Sequence, residues 1–270
     1  MIKIFLYRLT SFPKKLIKKL KKFYRRILKK FAKPKPEKPY LFDDKPVGSI
    51  YFLLYDLKSR GLNCNYILDV GAHSAGWASL AKKIFTESVI YLIEPLAEME
   101  DKLKNFCADF PSSKYFLNGA GSKEEISNIT LSETLEGSNF LQKENAYLKS
   151  SNVQREVRII TIDSLIQKGD INIPDLVKLD VQGFELEALK GAELLFGKTE
   201  VFILEASFFE FVEGTPLFSE VIGFMADKGY EVYDFSGFLR RPYDRALGQI
   251  DICFVKREGF LRNSKAWHKA

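Results

Sequence analysis

Cysteine and histidine are scarce in this chain: three of one and two of the other among 270 residues. Cys64, Cys107 and Cys253 are far apart, odd in number and form no C-x-x-C pair. That excludes a disulfide framework and fits reduced thiols in a reducing compartment. With only His73 and His268, a histidine-rich zinc site is excluded as well. No uncharged run is long enough for a membrane span or a signal-peptide core, and no internal repeat is present. Acids are nearly absent from the first 38 residues, where 15 Lys and Arg face Glu37 alone, a balance of +14. The remainder has 26 basic and 34 acidic side chains, or −8, and the two parts give the net +6. The basic character therefore belongs to an appendage. A mildly acidic body argues against nucleic acid as its substrate.

What is present begins with that appendage. Leu16, Ile17, Leu20, Phe23, Tyr24, Ile27, Leu28 and Phe31 recur at helical period between lysines and arginines. Pro13 suits a first turn, and Pro34 with Pro36 ends the helix. The pattern predicts a basic amphipathic arm and Pro/Lys linker over residues 1–40, ahead of a folded domain over 41–270. Such a helix lies on an anionic membrane surface, here through residues 1–31, and each Lys or Arg adds about 1 kcal/mol there. The expected location is cytoplasmic, peripheral on the inner face of the membrane. A protein or polyanion partner and a solvated tail are the competing readings.

The body alternates strand and helix. Helical character over Ile50 to Lys58 precedes strands at Asn65 to Val70, Val89 to Ile93 and Lys114 to Leu117, separated by helices from Trp77 to Phe85 and Ala97 to Ala108. This spacing implies right-handed parallel crossovers, an α/β, doubly wound sheet. Ser127 to Leu131 and Val157 to Ile162 alternate like antiparallel strands and predict a β-hairpin insertion, with Glu133 to Ser151 a loop or lid between them. Further strands are expected from Val177 to Asp180, from Glu200 to Leu204, from Tyr230 to Tyr233 and from Gln249 to Val255. Helices are expected after Gly183 and over Leu217 to Lys228.

Two strands end in a carboxylate beside a glycine turn: Y-I-L-D-V-G at Asp69 and Gly71, and V-K-L-D-V-Q-G at Asp180 and Gly183. Open α/β sheets place ligand chemistry at that end of the strands. Gly71 and Gly76 have the spacing of a P-loop, but Trp77 stands where its lysine must be. G-x-G-x-x-G fails because His73 occupies the second glycine position, so a dinucleotide pyrophosphate is not cradled. There remains D-x-G with Glu94 at the next strand end, an acid suited to both hydroxyls of a ribose. A nucleoside with a small charged tail fits, namely S-adenosylmethionine. Lys178 and Asp180, two apart, share a sheet face and form a candidate ion pair.

The segments D-V-G-A-H-S-A-G, I-E-P, V-R-I-I-T-I-D-S-L, K-L-D-V-Q-G-F-E-L-E-A-L-K-G-A and V-F-I-L-E, over roughly residues 60–255, resemble the FkbM family of S-adenosylmethionine-dependent methyltransferases. The resemblance implies a seven-stranded, mostly parallel Rossmann-like sheet and O-methylation of a sugar, glycan or related small-molecule precursor. One departure is Gln182, where the family usually has an acid. Asp69, Gly71, Ala72 and His73 are expected at the methionine end of the cofactor. Glu94, exposed by Pro95, is expected at the ribose, and Asn118 with Gly119 at the adenine. Asp180 and Gln182 are expected to face cofactor or substrate. Asp180, Glu205 and Glu185 are the candidate general bases, Glu185 competing with a role at its helix dipole. Phe208, Phe209 and Phe211 are either an acceptor wall or core, and Trp77 is read as core. A divalent metal on Asp180 and its neighbours is compatible with these acids but not indicated by their spacing, and oligomeric state is not legible. The rival readings are a nucleotide-sugar-dependent glycosyltransferase and a non-catalytic membrane-tethered scaffold.

Overall fold

The computed structural model describes residues 46–142, 146–266 and 268. The basic arm of residues 1–40 lies outside them. Helix α1 (Ile50–Ser59) leads into β1 (Tyr66–Val70), α2 (Gly76–Ile84), β2 (Val89–Ile93), α3 (Glu100–Asp109) and β3 (Lys114–Phe116). A smaller insertion follows: β4 (Gly119–Ala120), β5 (Glu125–Thr130), α4 (Ala146–Ser150) and β6 (Gln154–Ile160). The chain then returns through α5 (Ile162–Gln167), β7 (Leu176–Leu179), α6 (Glu185–Lys190), β8 (Val201–Ser207), α7 (Phe218–Asp227), β9 (Tyr230–Arg240) and β10 (Leu247–Lys256). The main sheet has seven strands in the order β3-β2-β1-β7-β8-β10-β9. The first five are mutually parallel, and β10 runs antiparallel to both neighbours.

Strand periodicity divides the core into two layers. On one face Ile67, Ile90, Leu92, Leu176, Val201, Ile203, Cys253 and Val255 pack under α1, α2 and α3. On the other, Leu68, Tyr91, Val177, Phe202, Ile252 and Phe254 pack under α5, α6 and α7. Asp69, Lys178, Glu205 and Asp251 continue the parity of the first face. Register places Asp69 opposite Lys178 and Glu205 opposite Asp251. One end of one face of a buried sheet thus carries a row of charge.

The expected antiparallel insertion is present: β5 pairs with β6 in a separate sheet of order β4-β6-β5, where β4 is parallel to β6. Two expectations are corrected. The polar stretch from Glu133 holds the short helix α4, and its start is tied down by the Thr130–Asn139 bridge. Strand β9 runs to Arg240, well past Tyr233, because β10 continues to pair with it through register shifts.

Candidate active site

A cavity of about 300 Å³ opens where β1, β2 and β7 end. Its wall begins with the β1–α2 loop, which takes left-handed backbone at Gly71 (φ 76°), His73 (φ 45°) and Ala75 (φ 58°). Non-glycine residues in that region store strain that surrounding contacts must hold. The contacts are present. Gly71 and Ala72 N–H groups donate to the Ile93 carbonyl, and the His73 N–H donates to Glu94 Oε2 at 2.7 Å. Gly71 was expected to admit a ligand closely. The tight approach at its Cα is instead to the Asp180 carbonyl, which a methyl group would overlap.

Glu94 is buried and lies at the cavity, one residue past β2. Its Oε1 accepts from the Leu96 N–H at 2.9 Å. Burial raises this carboxyl above its ordinary value, and the two amides oppose the rise. Each oxygen still has a second lone pair, so Glu94 can accept from a ligand. Pro95, Asn118 and Gly119 also line the cavity, and Asn118 donates weakly to the Arg158 carbonyl at 3.4 Å. Leu135, Glu136, Ser138 and Phe140 close it from the expected lid.

The deeper end carries the charge. Lys178, buried, lies 3.0 Å from Asp180 Oδ2 and 3.8 Å from Asp69 Oδ1. Burial acts to lower the Lys178 ammonium, but Asp180 and Asp69 prevail and its value is raised. Asp69 is wholly buried beneath the cavity and does not line it, which corrects its expected contact with a ligand. Burial pushes its carboxyl to about 6 against the pull of Lys178 and of the Ala78 backbone N–H.

Asp180 lies one residue past β7 and lines the cavity. Burial works to raise its value, yet Lys178 and the Gln182 amide hold it below the ordinary carboxylate value. Gln182, left-handed at φ 56°, donates to Asp180 Oδ1 (2.8 Å) and Glu205 Oε2 (3.1 Å). Gln249 donates to the same Glu205 oxygen at 3.0 Å. Burial, then Asp180, raises Glu205 well above the ordinary range. The surroundings thus favour the ionised form of Asp180 and the protonated form of Glu205, with the Gln182 amide bridging the two. A carboxyl at position 182, with at most one O–H to donate, could not reproduce both contacts.

Of the three candidate bases, only Asp180 lines the cavity. Glu205 stands behind it, and Glu185 is turned into the protein. Glu185 Oε1 accepts from the Val181 (2.9 Å) and Gly183 (3.2 Å) N–H groups, pinning the turn that carries Gln182. It is a positioning residue, not the solvated dipole acid its place in the first helical turn suggests. Gln249 and Asp251 were missed by sequence reasoning; their signal was the alternation Q-I-D-I at the start of β10. Trp77 packs against the core and also lines the cavity, where its Nε1, like His73 Nε2, is buried without a partner. These donors, with Glu94, fit a polar ligand of the cofactor's kind. Among the described residues no group of three His, Cys, Asp or Glu side chains is placed to hold a metal.

A second cavity, about 580 Å³, is rimmed by Leu141, Gln142 and Phe211 to Gly214. Leu141 packs at Gly183, and Phe211 at Gly248, so each rim residue stands next to one of the glutamines that hold Glu205. Phe208 stacks on Phe218 within the core, while Phe209 and Phe211 are exposed.

Residues 69–232, well over half of the chain, match the model of the methyltransferase FkbM domain. The chain belongs to the FkbM methyltransferase family. Its fold and family are those of S-adenosylmethionine-dependent methyl transfer. This FkbM domain is similar to a solved FkbM methyltransferase from Methylobacillus flagellatus KT, with 18% identity over 76% of this chain and a TM-score of 0.47. The match spans only 48% of that protein, about half its length. A fibrillarin from Aeropyrum pernix solved with natively bound S-adenosyl-L-methionine matches at 14% identity, covering 74% of this chain and 73% of its own, with a TM-score of 0.43. An O-methyltransferase family protein from Burkholderia thailandensis matches at 9% identity over 77% and 55% of the two chains, with a TM-score of 0.42. No curated protein matches.

Proposed function

We propose that this FkbM methyltransferase transfers a methyl group to a hydroxyl of a sugar, glycan or related small-molecule precursor at a membrane surface. The carrying observation is the surplus of carboxylates at the strand ends. Asp180, Asp69 and Asp251 all act on the single buried Lys178, three acids against one cation. Such a site attracts a cationic ligand and repels a diphosphate, which disfavours a nucleotide-sugar donor.

S-adenosylmethionine, when bound, supplies an electrophilic methyl group on a sulfonium and departs as the neutral thioether. The residues suited to hold it are the Gly71–His73 loop, Glu94 through its free lone pairs, Pro95, and the wall of Asn118 and Gly119. Gln182 would present its carbonyl oxygen at the seam between the cavities, while its amide stays on Asp180 and Glu205. Asp180 accepts the hydroxyl proton of the acceptor as the new bond forms, because Lys178 keeps it ionised at neutral pH. Glu205, biased towards its protonated form by burial and by Asp180, stands behind Asp180 and does not line the cavity. The loop from Leu135 to Phe140, with the Phe140 ring at Gly119, closes the cavity on the side expected for the adenine. The basic arm of residues 1–31 would hold the enzyme at an anionic leaflet. Among the described residues no helix is long and apolar enough to cross a membrane.

Titration with S-adenosylhomocysteine and turnover on a panel of hydroxylated acceptors test this reading. Glu94→Gln should weaken cofactor affinity about 10- to 100-fold. Asp180→Asn should bind within a few-fold of the parent and lose roughly 10²- to 10⁴-fold in kcat. Full turnover by Asp180→Asn would remove Asp180 from the chemistry.

A further inference from the structure

The hairpin joining β9 to β10 extends beyond its neighbours. Strand β8 ends at Ser207, paired with Gln249, and Gln249 in turn pairs with Leu239. Past Leu239, among the described residues, no further strand pairs with either arm, and the only neighbours are Phe208 to Phe211: the Phe208 N–H donates to the Gly248 carbonyl and the Phe211 ring packs at Gly248. The turn is built, not loose: the Arg241 N–H donates to the Ala246 carbonyl, and Arg241 forms a two-pronged pair with Asp244 at 2.7 and 2.6 Å.

What this hairpin shows to solvent is apolar and basic. Leu239 is 56% exposed and Tyr243 90%, with Phe238 at 46%, far more than a packed hairpin needs. Arg240, Arg241 and Arg245 outnumber Asp244 by two. Val47, 89% exposed, adds to the surface, since Gly48 pairs with Ser236 and the Phe238 ring packs on Gly48. Val47 is also where the chain coming from the +14 segment enters the domain. The patch is continuous with the rim of the second cavity. The Arg241 guanidinium lies 3.8 Å over the Phe209 ring, Phe209 is 5.7 Å from Phe211, and Phe211 rims the second cavity.

Clustered apolar side chains edged by arginines fit the headgroup boundary of an anionic bilayer, where aromatic and aliphatic groups enter and guanidinium groups meet phosphates. We propose that the β9–β10 hairpin, with Val47 beside it, is a membrane-docking surface that holds the mouth of the second cavity against an anionic bilayer. Phe238, Leu239 and Tyr243 enter the boundary layer, and Arg240 and Arg245 face lipid phosphates. This deepens, and rests on, the reading that the basic arm brings the enzyme to such a membrane.

The full chain, sedimented with phosphatidylcholine vesicles containing phosphatidylglycerol, tests it. Leu239→Ser/Tyr243→Ser and Arg240→Ser/Arg245→Ser should each lower the partition coefficient about tenfold at low salt. Ile126→Ser, an exposed position on β5, should leave it unchanged. A Tyr243→Trp reporter should be quenched by doxyl-labelled lipid, which binding through the arm alone would not produce. If the parent binds but both double variants match it and the reporter is unquenched, the docking surface is refuted while the arm reading stands. If the parent does not bind, both fall. Lipid-free self-association that the hairpin variants abolish, without quenching of the reporter, would make the patch a protein interface and refute the proposal. Unchanged unfolding midpoints separate these outcomes from misfolding.

Discussion

Replacing Glu185 by glutamine should flatten the pH dependence of stability near neutrality. In the folded protein Glu185 is 3% exposed, and burial pushes its carboxyl from 4.5 to about 7 despite two backbone N–H donors. In the unfolded chain it ionises near its ordinary value. Between those two values the folded state keeps a proton that the unfolded state has lost. The group's stabilising contribution is therefore complete below the lower value and fades as pH rises through the upper one. At about 1.4 kcal/mol per pH unit, the full swing is at most about 3 kcal/mol. Glutamine keeps an oxygen for the Val181 and Gly183 N–H groups but has no charge to desolvate. Relative to the parent, the variant should gain stability from about pH 5 to pH 7 and level off above about pH 8. For a domain of this size about 3 kcal/mol corresponds to roughly 6–12 °C in Tm. Differential scanning calorimetry of both proteins at half-unit pH steps measures this directly, and the difference between them cancels Asp69 and other shared titrations. A constant Tm difference across that range would show that Glu185 ionises without penalty and that the turn holding Gln182 is not pinned as described.

Gly71→Ala should abolish folding or cost more than about 4 kcal/mol, since the new methyl overlaps the Asp180 carbonyl at a backbone angle of 76°; soluble yield and urea midpoints check it. Gln182→Glu places a third carboxyl between Asp180 and Glu205, each now held by the glutamine amide. Turnover should fall at least tenfold at pH 8 and recover towards the parent near pH 6, where the added group regains its proton; a pH–rate profile parallel to the parent's would contradict it.

The sequence was most legible where chemistry and periodicity coincided. Strands β1, β2 and β7 announced themselves by an apolar run broken at an acid or a glycine, and Glu94 followed from its place at the end of one. The two-residue step from Lys178 to Asp180 correctly put them on one face, where they pair at 3.0 Å. Less legible was anything supplied by a strand from elsewhere in the chain. Gln249 and Asp251 meet Glu205 only because β10 is inserted antiparallel between β8 and β9, a register that no local pattern encodes. The far half of β9 was hidden by Asp234, Ser236 and Gly237, residues typical of turns that here sit in a bulged ladder. Asp69 was read correctly as a strand-end acid, but its depth beneath the cavity follows from the packing of three adjacent strands.

The placement of β10 has a consequence for synthesis. The ribosome delivers Asp69, Lys178, Asp180, Gln182 and Glu205 well before Gln249, so until β10 inserts between β8 and β9 a nascent domain gives Glu205 one amide where the folded one gives it two. A chain halted before that insertion would assemble the Lys178 pair and the Gln182 bridge yet leave Glu205 without its second donor.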